Sequence, residues 1–197
     1  MVDNNAALEE IREYAEENNV PIMTEDGIKF LTNYIKKHNI KKILEIGAAI
    51  GYSAIMMALV DEEIEITTIE RDEKRYLEAV KNIKKFRLED RINLIYKDAF
   101  DVKLDDKYDL LFIDAAKAQN IKFFEMFSKN LNPKGTIITD NMNFHGLVDK
   151  ELEEIKSRNL RALVRKLKDY AVFLQENKKY ETDFLDIGDG IAISRPR

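Results

Sequence analysis

Cysteine is absent from the 197 residues. That excludes disulfides, thiolate metal ligation and cysteine nucleophiles. Histidine occurs only at His38 and His145, too sparse for an imidazole-rich metal centre. No apolar stretch approaches the roughly 20 residues that a membrane span needs, so no membrane partner is expected. Residues 1–17 are acidic rather than basic and then apolar, which predicts no secretory signal and a cytoplasmic location. With three prolines and seven glycines there is no Pro/Gly-rich linker, repeat or low-complexity tract. One domain over residues 1–197 is predicted, an N-terminal helix within 1–20 and a core over 21–197.

The charge that is present is unevenly placed. The net charge is −5. Residues 1–26 carry eight acids against Arg12 alone. Residues 156–179 carry eight bases, among them Lys156, Arg158, Arg161 and Arg165, against Asp169 and Glu176. Such asymmetry fits either a nucleic-acid face or a solvated helix.

Apolar periodicity alternates between strand and helix. Helices are predicted over Asn4–Glu17, from an N-cap at Thr24, over Gly51–Val60, Asp72–Phe86 and Ile121–Asn130, and from Asp149 to about Leu174. Strands are predicted at Lys42–Ile46, Glu65–Glu70, Ile92–Tyr96, Tyr108–Ile113 and Thr136–Thr139, with Asn132–Gly135 as a turn. Two more strands, Thr182–Ile187 and Ile191–Ser194, flank Gly188-Asp189-Gly190 as a hairpin. The fold class is therefore α/β: a doubly wound, seven-stranded, mostly parallel Rossmann-like sheet with an antiparallel C-terminal hairpin. Ligands of such sheets bind beyond the carboxyl ends of the strands.

Polar residues gather at those ends. Gly47 and Gly51 let backbone approach a ligand and turn into a helix. Their G-x-x-x-G spacing departs from the dinucleotide fingerprint and opposes an NAD-dependent dehydrogenase. Glu70 ends the second strand, where an acid can accept from ribose hydroxyls. Asp98 could accept from an adenine amino group, with Phe100 against the ring. The fourth and fifth strands end in Asp114 and in Asp140-Asn141. Two carboxylates and an amide oxygen make a hard donor set suited to Mg²⁺ or another hard divalent cation, not to zinc. The plainer alternative is a helix cap at Asp114 and an Asx turn at Asp140-Asn141. Lys117, three residues beyond Asp114, could reach a metal-bound hydroxyl as general base. Alternatively it is a surface lysine. His145 is a candidate rim residue.

Glu45-Ile-Gly-Ala-Ala-Ile-Gly-Tyr-Ser53, Ile69-Glu70, Ile113-Asp-Ala-Ala-Lys117 and Asp140-Asn141 together resemble the motif set of the cation-dependent class I O-methyltransferases, which include catechol and caffeoyl-CoA O-methyltransferases. Val20-Pro-Ile-Met23 and Asp140-Asn-Met-Asn-Phe-His-Gly146 are similar to the short bacterial branch that includes the tRNA 5-hydroxyuridine methyltransferases. The segment before Pro21 is shorter than usual there. The resemblance implies S-adenosylmethionine contacts at Met23, Glu45, Gly47, Ser53, Glu70, Ala99 and Asp114, with Asp98 beside the adenine. It implies metal ligands at Asp114, Asp140 and Asn141, Lys117 and Asp114 as the catalytic residues, and a homodimer.

The expected reaction is methyl transfer to a hydroxyl that has a neighbouring oxygen. The resemblance, with the basic segment tipping toward RNA, implies 5-hydroxyuridine in a tRNA anticodon loop, giving 5-methoxyuridine. A small catechol or phenol is the alternative acceptor. A non-catalytic nucleotide-binding protein is the alternative of another class.

Overall fold

A computed structural model describes residues 4–115, 117–143 and 152–197, without the side chains of Lys117 and Leu152. Six α-helices are described: α1 Asn4–Glu17, α2 Glu25–Lys37, α3 Tyr52–Ala58, α4 Glu73–Lys85, α5 Asn120–Phe127 and α6 Arg158–Gln175. The seven strands are β1 Lys42–Ile46, β2 Glu65–Glu70, β3 Ile92–Tyr96, β4 Tyr108–Ile113, β5 Leu131–Thr139, β6 Tyr180–Leu185 and β7 Ile191–Pro196. They form one sheet in the order β3-β2-β1-β4-β5-β7-β6. The first five run parallel, and β7 enters antiparallel to both β5 and β6. The predicted doubly wound sheet and its closing hairpin are both present.

Both faces of the sheet are covered, which is why Leu110–Ile113 of β4 reads as an unbroken apolar run. On β1, Ile43 packs into a core completed by α1 to α4, whereas Leu44 and Ile46 point the other way, against α5 and α6. Neighbouring side chains thus serve opposite layers, as strand geometry requires. Among the described residues no helix is long and apolar enough to cross a membrane.

Local chemistry fixes the helix starts. Thr24 caps α2 by accepting from the Gly27 N–H at 3.3 Å, and Asp72 caps α4 through Arg75 at 3.0 Å. The N-terminal helix is anchored by a long-range contact. Arg12 donates through Nε and Nη2 to the Tyr52 hydroxyl at 3.1 and 2.9 Å, with the guanidinium 5.7 Å from the ring centroid. Arg12 thereby ties α1 to the first residue of α3.

Two expectations need correction. The long helix expected from Asp149 begins at Arg158, because Ser157 is extended and caps it by accepting from Leu160 at 3.4 Å. A separate 3-10 turn covers Leu152–Glu154, and residues 149–151 lie outside the described set. The charged periodicity hid that break. The turn expected at Asn132–Gly135 is absorbed into β5, which pairs Tyr108 with Leu131 and then, after a register shift, Leu110 with Thr136.

A buried hydrogen bond of 2.8 Å joins the Thr139 and Tyr170 hydroxyls across the sheet–α6 contact. Tyr170→Phe leaves the Thr139 hydroxyl buried without that partner and should cost about 1–2 kcal/mol in urea unfolding. Adding Thr139→Val should recover part of that loss.

Candidate functional site

The strand order reverses between β1 and β4, the position where an open α/β sheet leaves a crevice. A cavity of about 730 Å³ opens there, in the range that holds a small cofactor. Gly47, Ala49, Glu70 and Asp98 line one part of it, and Asp114 and Asn141 another.

The turn after β1 is preorganised by backbone. Gly47 has φ +103°, and a Cβ on it would stand 2.4 Å from the Asp114 carbonyl oxygen. Only glycine lets these two strand exits lie so close. Gly47 and Ala48 both donate to the Ile69 carbonyl, at 3.0 and 3.1 Å. Ala49 is held left-handed at φ +45°, where its N–H donates to Glu70 Oε2 at 2.8 Å. Glu70 also accepts on Oε1 from the Arg71 and Asp72 N–H groups, at 2.9 and 2.8 Å. A carboxylate offers about four acceptor positions, so the protein takes three and leaves one, on Oε2. Asp98 accepts from the Phe100 N–H and from Arg71, both at 3.1 Å. The Phe100 hydrogen bond first, and then Arg71, hold its carboxyl below the usual range.

Glu45 sits behind this turn, fully buried, and accepts from Ser53 Oγ and Thr68 Oγ1, each at 2.5 Å. Burial pushes its pKa up to about 7, against the lowering effect of the two hydroxyls, and Glu70 adds to the rise. Neither Glu45 nor Ser53 lines the cavity; they brace the loop that does. The Met23 side chain is likewise packed in the core while Pro21, Ile22 and Thr24 line the cavity. Among the described residues the aromatic ring lining the cavity is Phe123, and the expected Phe100 stacks on it with centroids 4.9 Å apart.

The second half of the site is built by strand register. Ile113 pairs with Thr139, and the Asp140 N–H donates to the Ile113 carbonyl at 3.2 Å, so Asp114 and Asp140 leave adjacent strands side by side. Asn141, left-handed at φ +64°, places its amide nitrogen 3.3 Å from Asp114 Oδ1 and 3.1 Å from Asp140 Oδ2. One amide thus spans both carboxylates. Its oxygen and nitrogen exchange by a half-turn of the amide, which would bring three oxygens from these side chains together. Among the described residues no group of three or more Asp, Glu, His or Cys is placed to hold a metal. The set here is two carboxylates and an amide, a hard and weakly basic site that fits Mg²⁺ or Ca²⁺. Lys117 begins a 3-10 turn immediately beyond this set. Its side chain, and His145, lie outside the described residues.

The Asn141 loop is clamped by the C-terminal hairpin. Met142 and Asn143 donate their N–H groups to the Gly190 and Asp189 carbonyls at 2.9 and 2.8 Å, and Asn143 Nδ2 donates to Asp186 at 2.9 Å. Sequence reasoning missed this brace, and it missed Arg71, Arg75, Gln119, Leu163 and Asp189 as cavity residues. The G-D-G turn was the only available signal.

The O-methyltransferase family profile matches residues 1–197. The chain is 29% identical over 201 residues to a caffeoyl-CoA O-methyltransferase from Populus kitakamiensis, covering 95% of this chain and 85% of that protein. It is 31% identical over 186 residues to a flavonoid 3',5'-methyltransferase from Vitis vinifera, covering 90% and 78%. Among solved structures, a candidate caffeoyl-CoA O-methyltransferase from Staphylococcus aureus superposes with a TM-score of 0.91 at 41% identity, over 96% of this chain and 92% of that one. An O-methyltransferase from Bacillus cereus in complex with SAH gives 0.84 at 25% identity, over 100% and 93%.

Glu45 supplies a pH test. In the folded chain its carboxyl keeps a proton up to about 7, against an ordinary value of 4.5. Above 4.5 the unfolded chain releases that proton first, so stability falls as pH rises from 4.5 toward 7. The unfolding free energy of the wild type relative to Glu45→Gln should therefore drop over that interval, by at most roughly 3 kcal/mol, in urea titrations across pH. A difference independent of pH would show that Glu45 is not the titrating group.

Proposed function

Because the chain belongs to the O-methyltransferase family, whose members are S-adenosylmethionine-dependent enzymes, we propose that it methylates a hydroxyl flanked by a second oxygen, at a site completed by a hard divalent cation. The observation that carries this reading is the convergence of Asp114, Asp140 and Asn141 through a single amide. A cation held there would lower the pKa of the acceptor hydroxyl and fix it in place.

The protein's own residues divide the remaining work. The Gly47–Ala49 turn and Glu70 bind the adenosyl part of the methyl donor, with Phe123 against the adenine end of the cavity. The one acceptor position left on Glu70 takes a ribose hydroxyl. Gly47 and Asp114 border the same cavity, so donor and acceptor meet where the β1 and β4 exits touch. Holding both there turns a bimolecular encounter into a positioned one. Lys117, first residue of the turn after β4, takes the proton from the acceptor hydroxyl.

A vicinal dihydroxyphenyl acceptor fits these demands, in keeping with the caffeoyl-CoA and flavonoid enzymes to which the chain is similar. A second reading, 5-hydroxyuridine at a tRNA wobble position, presents a hydroxyl beside a carbonyl in the same way. The basic residues of α6 favour it, since phosphate contacts supply much of the affinity for RNA. A homodimer and a cytoplasmic location are proposed with either acceptor.

The test is methylation of a dihydroxyphenyl panel and of undermodified tRNA, with and without EDTA. Chelation, Asp140→Asn or Lys117→Ala should each lower turnover by on the order of 10²-fold. Calorimetric binding of S-adenosylmethionine to Asp140→Asn should persist. Full activity after exhaustive chelation would refute the cation-assisted reaction.

A further inference from the structure

The loop that carries Asn141 is anchored on two sides. Asn141 lines the cavity, Met142 is buried among side chains of α5 and α6, and Asn143 turns onto the C-terminal hairpin. The hairpin side is a built seat. Gly188 and Gly190 are left-handed, at φ +57° and +85°. A Cβ on Gly190 would stand 2.6 Å from Asn143 Cγ, so the Asn143 side chain lies directly on the Gly190 backbone. From there its Nδ2 reaches Asp186 Oδ1 at 2.9 Å. On the other flank of the turn, a Cβ on Gly188 would collide with Thr24 Oγ1. The turn is therefore wedged between the start of α2 and the Asn141 loop, and glycine at both positions allows it.

The Asn143–Asp186 pair stands out because the fold has little need of it. Asp186 is exposed, and among the described residues no ion pair engages it. A hydrogen bond at the surface adds little to folding, because water takes its place when it breaks. Asn141 is the residue with something to gain. It is held left-handed, with its amide between Asp114 and Asp140. The next two backbone N–H groups, of Met142 and Asn143, both go to carbonyls of the hairpin turn. Three hydrogen bonds to the hairpin thus fix where Asn141 stands. The one to Asp186 is the one that a side-chain substitution removes without touching the backbone.

We infer that Asn143 and Asp186 are positioning residues: their hydrogen bond holds Asn141 where its amide spans the two carboxylates, and so sets the affinity for the cation. This rests on the proposed cation-assisted reaction and adds to it two residues that do not line the cavity. Groups that orient a metal ligand from behind change metal affinity by about 10- to 100-fold when they are removed. A pair that works through one hydrogen bond also loses its effect as a unit.

The test is Mn²⁺ binding, followed by the electron paramagnetic resonance of the free ion with SAH present. Asn143→Ala and Asp186→Ala should each weaken Mn²⁺ binding by about 10-fold. The two together should weaken it no further than either alone. The exchanged pair, Asn143→Asp with Asp186→Asn, keeps the net charge and restores the hydrogen bond with donor and acceptor reversed. Its affinity should return to within about threefold of the wild type. Asp183→Ala removes a carboxylate from the same hairpin, where it pairs with Arg195 at 2.7 Å, and should leave Mn²⁺ binding unchanged. Turnover of Asn143→Ala should recover as Mn²⁺ is raised, a change in the KM for the cation rather than in kcat. SAH affinity by calorimetry should match the wild type in every variant.

Unchanged Mn²⁺ affinity in both alanine variants overturns the inference. So does an exchanged pair no better than Asn143→Ala, or an Asp183→Ala variant weakened as much as Asp186→Ala. In each of these cases the cation-assisted reading survives, because the wild type still binds Mn²⁺. A wild type that binds SAH but no Mn²⁺ refutes that reading itself, and the positioning role with it.

Discussion

The constraint on which the site depends is the forced proximity of two carboxylates. Parallel pairing of β4 with β5, with Ile113 opposite Thr139, carries Asp114 and Asp140 out of the sheet as neighbours whatever their mutual repulsion. Asp140 is buried and Asp114 half-buried, so water screens the pair less than it would on an open surface. Asn141 eases the conflict by directing one amide to both acids. Asparagine is also among the few residues that enter the left-handed region at low cost. One side chain therefore satisfies a backbone requirement and an electrostatic one, and substituting it disturbs both.

The half of the cavity at the ends of β1 and β2 works by a different logic. It carries no comparable charge conflict and is shaped by backbone N–H groups. Glu70 collects three of them, which fixes the loops after β1 and β2 relative to each other before any ligand arrives. Glu45, sealed beneath with two hydroxyls, stiffens the start of α3 from behind. Preorganisation of this kind lowers the ordering cost of binding. It also explains why Glu45 and Ser53 belong to the motif without touching the cavity.

Much of this was legible in the chain because apolar strands end abruptly in polar residues. The step from Phe112-Ile113 to Asp114, and from Ile138-Thr139 to Asp140-Asn141, marks the strand ends at which these polar side chains converge. Gly47 was legible for a similar reason, since a glycine directly after a strand indicates a close approach. What stayed hidden depends on tertiary direction. Nothing local tells that Phe123 rather than Phe100 faces the cavity, or that Arg71 turns toward Asp98. The start of α6 was obscured because a charged run keeps helical periodicity through a residue that caps. The early beginning of β5 was masked by Pro133 and Gly135, which the sheet accommodates by a shift in register rather than a turn.

The clamp of the Asn141 loop by the Gly188–Gly190 turn has a consequence for biosynthesis. The acidic pair is translated well before the hairpin that immobilises the loop beside it. A nascent chain arrested between them would carry Asp114, Asp140, Asn141 and the Gly47–Glu70 backbone, yet its Asn141 loop would lack the brace. That brace needs β7 in place between β5 and β6.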